Sequence, residues 1–187
     1  MHTTIDETNI RSFLESKKQF MDILRCVDAV APRPWCVFGG VLRNIVWDAS
    51  TNINQSHYSS DVDVGIFMPN STEAKVLLES KLSEYNANYR WDVENYAFSH
   101  IENLDEPYKD LEDGLRKQLI TITSIGITLD KNGSIKIISP LGLDDLITRT
   151  IRPTPLIYRH PERIILIKEK LKTKRWQEKW PDMHVIL

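Results

Sequence analysis

The sequence predicts an α+β fold, a mixed β-sheet flanked by helices with further helices near both ends of the chain. Three observations carry this. Apolar residues recur at three- and four-residue steps in some stretches, alternate strictly in others, and the strand-like stretches are linked both by helical crossovers and by a tight hairpin at 130–133. With 187 residues, 41% of them hydrophobic and 27% charged, the chain buries a substantial core. It reads as one domain over 1–187, with an N-terminal helix over 1–30, a core over 33–150 and a C-terminal helical appendage over 151–187.

The elements follow in order. Ile10, Phe13, Leu14, Phe20, Met21, Leu24 and Val27 form one apolar helical face, and Ala31-Pro32-Arg33-Pro34 stops it. Residues 35–38 are a short apolar strand, Gly39-Gly40 a tight turn, and 41–47 a helix with Val41, Ile45 and Val46 inward. The polar run at 49–60 reads as an exposed loop able to close over a ligand. Val62, Val64 and Ile66 alternate with Asp61, Asp63 and Gly65, which is a strand with one apolar face and one acidic face. Asn70-Ser71-Thr72-Glu73 resembles a capping box opening a helix to Tyr85, with Ala74, Leu77, Leu78 and Leu82 as its stripe.

A strand over 89–97 puts Asp92, Glu94 and Tyr96 on one side and Trp91, Val93, Asn95 and Ala97 on the other. Residues 107–116 form a short charged helix or an extended loop. Residues 119–129 form a β-branched strand with a bulge near Thr123-Ser124, paired through the hairpin with 134–138. A helix starts near Gly142, with Asp144 and Asp145 placed to complement its dipole, and Pro153 and Pro155 break it. A basic amphipathic helix over 161–171 comes last. Its lysines and the following Lys172, Lys174 and Arg175 read as a solvated face that could also steer a polyanion.

Several classes are excluded or disfavoured. No stretch approaches eighteen apolar residues and the first ten residues are polar and acidic, so neither a membrane span nor a secretory signal is expected, and the location implied is cytoplasmic. Cys26 and Cys36 stand alone without a histidine cluster, against a disulfide scaffold or structural zinc. A net charge of -2 gives no general attraction to nucleic acid.

Two fragments carry chemistry. Asp61 and Asp63, one residue apart on a strand, project from the same face and could share a hard divalent cation such as magnesium. Taken alone, such a pair is more often a solvated strand end. The strand, Gly39-Gly40 and helix unit presents free amides to a phosphate, and Arg43, one turn on, adds a planar cation. Together they offer charge neutralisation and alignment, the two requirements of phosphoryl or nucleotidyl transfer. His100 is a further candidate, for a phosphate contact or an acid/base step, although a lone histidine at a strand end is more often structural. The five tryptophans are expected to pack, with Trp47 or Tyr96 able to stack on a base.

The run Gly39-Gly40-Val41-Leu42-Arg43-Asn44, followed by Asp61-Val62-Asp63, resembles the signature of the polymerase-beta-like nucleotidyltransferase superfamily. Its Gly-Gly-x-x-Arg form is similar to the head domains of tRNA nucleotidyltransferases and bacterial poly(A) polymerases. RNIVWD, SDVDVGIF, WDVENYAFSH, SPLGLDDL and IRPTP resemble a small single-domain bacterial branch across about residues 33–185. The resemblance implies a nucleotidyltransferase fold with Gly39, Gly40, Arg43 and Asn44 at the nucleotide phosphates and Asp61 and Asp63 holding two magnesium ions. It implies a third carboxylate, with Asp92 the first choice and Glu94 the second, while the branch emphasises the position of Asn95.

The activity so implied is transfer of a nucleoside monophosphate from a nucleoside triphosphate, ATP by preference, to an acceptor hydroxyl. A protein, a tRNA or other RNA end, and a small molecule all fit as acceptor. Asn44 stands where tRNA-tailing enzymes usually carry aspartate, and their long helical tRNA-binding region is missing, which counts against tailing. A catalytically silent nucleotide-binding module and a tRNA- or RNA-end-modifying enzyme are the alternatives.

Overall fold

The computed structural model describes residues 4–51 and 61–187, so the loop expected at 49–60 lies, from residue 52 on, outside the described residues. The first helical face is carried by two helices, α1 (Ile10–Glu15) and α2 (Lys18–Val30), where one was expected. Between them Ser16 Oγ donates to the Phe13 carbonyl at 2.6 Å and Lys17 turns extended. The apolar face survives the break because Leu14, Phe20, Leu24 and Val27 are all fully buried.

Strand β1 (Trp35–Phe38) is buried throughout and runs through Gly39 into α3 (Gly40–Ser50). Strand β2 (Asp61–Ile66) follows, then α4 (Ala74–Tyr85), β3 (Arg90–Asn95) and α5 (Tyr96–Asn103). The capping box does not form, as Glu73 precedes α4 with no side-chain cap. Leu78 and Leu82 face the core while Leu77 is 54% exposed, so the buried stripe is narrower than expected. Strand β3 ends at Asn95 because its side chain accepts the Ala97 amide at 3.3 Å and starts α5, which takes Tyr96 off the strand.

Helix α6 (Leu111–Arg116) is capped by Asp110, which accepts the Asp113 amide at 2.7 Å. The long strand expected over 119–129 is only β4 (Gly126–Leu129). Ahead of it, Thr121–Thr123 form a 3-10 turn, and the Thr123 and Ser124 hydroxyls donate to the Ile120 carbonyl in place of a ladder. Strand β5 (Ile135–Ile138), α7 (Asp144–Ile147), β6 (Thr150–Ile151), α8 (Pro155–Arg159), α9 (Ile164–Lys174), α10 (Trp176–Lys179) and β7 (His184–Val185) complete the chain. Asp145 binds Thr121 Oγ1 and the Arg152 guanidinium, crosslinking the chain.

The main sheet runs β3-β2-β1-β4-β5. Only β2 and β3 are parallel, joined by the α4 crossover, and the other neighbours are antiparallel. The register aligns Phe38 with Asp63 and Asp63 with Asp92. One large apolar cluster gathers α1 to α4, the strands and the late helices. A smaller one of Cys36, Phe38, Tyr96, Tyr108, Leu111 and Leu115 fills the other side of the sheet. Among the described residues no helix is long and apolar enough to cross a membrane.

Candidate active site

A cavity of about 370 Å³ opens where β1 meets α3, and it is lined by both acids and bases. Its acidic wall follows from the parallel register. Asp61 and Asp63 on β2 lie beside Arg90 and Asp92 on β3, with Glu94 two residues further along the same face. Burial holds the Asp63 carboxyl above its ordinary range. Asp92 and Asp61 push it further up, against the Gly40 amide, which donates to Asp63 Oδ2 at 3.3 Å, and the cation of Lys170. Burial raises Glu94 in the same way.

These carboxylates have substitutes for a cation. Arg90 grips Asp61 through both Nε at 3.0 Å and Nη2 at 3.1 Å, and Lys75 approaches Asp92 at 3.9 Å. Hard oxygen donors on one face, with Asp63 disfavoured as an anion, match a divalent cation in kind. Among the described residues, however, no three Asp, Glu, His or Cys side chains draw together as a metal-holding group. Asp61 is instead turned onto Arg90.

The β1-to-α3 turn works through the absence of side chains. Gly39 sits at φ +74°, and a Cβ there would collide with Asp63 Oδ2. Arg43, buried on the first turn of α3, donates from Nη2 and Nε to Asn44 Oδ1 at 2.8 and 3.2 Å. Its guanidinium lies 4.4 Å from the Trp176 ring centre and 5.4 Å from that of Trp180. Burial draws it down to about 10 against the pull of Asp63 and Asp48, so it stays cationic at neutral pH.

Of the residues singled out in the sequence, Gly39, Gly40, Arg43, Asp61, Asp63, Asp92 and Glu94 all line this cavity. Three others do not. Asn44 orients Arg43 from behind. Asn95, on the opposite face of β3, accepts the Met68 amide and donates to the Met68 and Ser71 carbonyls while capping α5. His100 packs edge-on against Tyr108 at 6.0 Å. Neither aromatic proposed for base stacking is available. Trp47 is buried with Nε1 donating to the Leu146 carbonyl, and Tyr96 is buried with its hydroxyl accepting from Gln118.

The cavity also takes Arg90, Gln118 and Thr123, which the sequence reading passed over, and Lys170, Lys174 and Trp176, which it read as a solvated basic face able to steer a polyanion and as a packing indole. Lys170 and Lys174 stand four residues apart on α9, hence on one helical face, within the run taken as solvated. Burial lowers the Lys170 ammonium, Asp63 opposes that, and Arg43 and Lys174 add to it. Spacing was the available signal, but a surface helix has the same one.

Comparison with known proteins shows the family and the fold. A sequence family described as nucleotidyltransferase covers residues 25–185. No curated protein matches the chain. An NMR structure described as revealing a CCA-adding enzyme head domain superposes with a TM-score of 0.86 at 26% identity, over 99% of this chain and 98% of that one. A CCA-adding enzyme in complex with CTP gives 0.59 at 15% identity, over 95% of this chain and 43% of that one. A CCA-adding enzyme in complex with ATP gives 0.54 at 15%, over 98% and 41%. This chain thus spans less than half the length of those two enzymes.

Proposed function

We propose, on the premise that the chain belongs to the nucleotidyltransferase family, that it moves a nucleoside monophosphate from a nucleoside triphosphate, ATP by preference, to an acceptor hydroxyl with release of pyrophosphate. The observation that carries this reading is the convergence of the Gly39-Gly40 helix start, Arg43 and the β2 and β3 carboxylates on one cavity. A phosphate-binding turn facing a carboxylate set is the arrangement that in-line nucleotidyl transfer requires.

Asp61 and Asp63 would hold magnesium, with Asp92 beside them, and ions bound there supply charge neutralisation and activation of the attacking oxygen. The chain's own groups do the rest. The Gly39-Gly40 turn lets phosphate approach the backbone, and Arg43, fixed by Asn44 and two indoles, aligns the phosphates for attack. Asp92, the register partner of Asp63 and open to the cavity, accepts the proton of the acceptor hydroxyl.

The test is incubation with α-phosphate-labelled ATP, CTP, GTP or UTP, magnesium and cell extract, following label transfer and pyrophosphate. Transfer that vanishes in Asp61→Ala/Asp63→Ala supports the reading and its product identifies the acceptor. The closed Asp61–Arg90 pair favours one second reading, a silent nucleotide-binding module. Magnesium-nucleotide binding with neither labelled product nor pyrophosphate from any extract would establish that module instead. An RNA 3′ end as product would assign the acceptor class suggested by the CCA-adding relatives.

A further inference from the structure

A second cavity, of about 350 Å³, adjoins the first, and Glu94 and Gln118 line both. It opens between the end of α5, the segment 117–119 and the start of α9. Glu102, Asn103 and Leu166 are exposed at its entrance, while Glu94, Gln118 and Leu119 are half-buried. A molecule seated there lies next to the carboxylate set, past Glu94, and away from Gly39, Gly40 and Arg43, which line the first cavity and not the second.

Its walls are fixed by contacts that the phosphate side of the site does not use. Arg163 donates to the Asn103 carbonyl at 2.6 Å and pairs with Asp105 at 2.7 Å, tethering the end of α5 to the start of α9. The Thr154 hydroxyl donates to the Gln118 carbonyl at 2.6 Å and the Thr154 amide to the Leu119 carbonyl at 3.1 Å, which anchors 117–119. The Gln118 side chain is held as well, donating to the buried Tyr96 hydroxyl at 2.9 Å. A preformed cavity of this size suits a small molecule, and little ordering is left to pay on binding.

The lining discriminates among acceptor classes. Arg163 is already neutralised by Asp105, which leaves Lys117 against the two carboxylates Glu94 and Glu102. A polyanion such as an RNA end gains affinity by gathering cations around its phosphates, and this lining holds no surplus of them. Carboxylate and amide groups beside Leu119 and Leu166 instead suit the hydroxyls and C–H faces of a sugar or polyol.

We propose that the second cavity is the acceptor subsite and that the acceptor is a small polyhydroxylated molecule of sugar or polyol size rather than an RNA end. This inference rests on the nucleotidyl transfer proposed above and names its acceptor class. The acceptor hydroxyl reaches past Glu94 and Gln118 to the α-phosphorus of ATP. A new P–O bond forms there as the bond to pyrophosphate breaks, and the proton passes to Asp92. Glu94 and Gln118 act as positioning residues where the cavities join, and Glu102 and Leu166 as specificity residues at the entrance.

The full chain, given α-phosphate-labelled ATP, magnesium and in turn the metabolite, RNA and protein fractions of a cell extract, tests this. Label should pass to a small product of the metabolite fraction. Leu166→Trp, which fills the entrance from an exposed position, should raise the KM for that acceptor about tenfold or more. Its affinity for the non-transferable analogue α,β-methylene-ATP should stay within about twofold of the parent, because the phosphate-binding groups lie in the other cavity. Leu77→Trp, also exposed and outside both cavities, should shift neither constant beyond about twofold. Label on RNA or protein alone, or a Leu166→Trp KM matching that of Leu77→Trp, would overturn the acceptor assignment and leave the transfer reaction standing. Absence of transfer with every fraction would sink the proposed function and this inference with it.

Discussion

The two walls of the cavity are assembled differently. The carboxylates Asp61, Asp63, Asp92 and Glu94 come from neighbouring strands, and parallel register alone puts them side by side. Arg43, Lys170 and Lys174 come from distant helices, and the burial of Trp176 and Trp180, with the Arg163–Asp105 tether at the other end of α9, unites them. The acidic wall is local and works against folding, since burial and like charges disfavour the Asp63 anion. The basic wall is nonlocal and depends on tertiary packing. Changes on the first should therefore strike function while sparing the fold, and changes to the supports of the second should strike both.

The largest separation is expected for Asp63→Asn. Nucleotide transfer should fall by about a hundredfold or more, as for loss of a principal electrostatic group. Its thermal midpoint at neutral pH, measured without divalent cation, should rise, because an unfavourable buried anion is removed. A lower midpoint would show that the acidic wall supports the fold after all.

Trp180→Ala should do the opposite, lowering unfolding free energy by about 3–5 kcal/mol in urea titration because it empties the seat shared by Trp47, Arg43 and Asp48. Nucleotide affinity should fall with it. A folded variant of unchanged affinity would break the link between the Trp anchors and the basic wall.

Gly39→Ala sits between the walls, with both a positive φ and a collision with Asp63, and should lose roughly 1–3 kcal/mol along with transfer activity. Gly133→Ala, at φ +77° with nothing near its Cβ, supplies the comparison for backbone strain alone. Its loss should be smaller, so equal losses would remove Asp63 from the explanation.

The smallest effect concerns pH. Burial raises the Asp105 carboxyl, but hydrogen bonds from Arg163 and Tyr108 outweigh that and hold it below the usual carboxylate range. A depressed carboxylate adds stability that is present above its unfolded value, about 4, and lost as pH falls through the folded one. Thermal midpoints measured downward from about pH 5 should therefore fall less steeply in Asp105→Asn than in the parent. Parallel slopes would mean that this tether of α9 carries no acid sensitivity.

How much could be read from sequence follows the same division. The mixed sheet, the glycine turn and the Asp61/Asp63 face were legible because strand period two and adjacent glycines are local signals. Lys170 and Lys174 were not, since a basic helical face has the same spacing whether solvated or packed, and indoles distant in sequence decide which. Asn95 misled for a related reason. Alternation continues through Tyr96, but the asparagine caps a helix there, and a capping hydrogen bond leaves no trace in the period. The 3-10 turn at Thr121–Thr123 was hidden likewise, because hydroxyls bonding back to Ile120 override β-branched propensity.

The Trp180–Asp48 hydrogen bond closes a loop of 132 residues. Closure over such a separation draws heavily on chain entropy and is reached only after local strands and helices have formed. A chain still folding thus presents its carboxylates before its cations. On the proposed function, capture of a triphosphate would report that folding has finished, and nucleotide protection against proteolysis would serve as a clock for the last docking event.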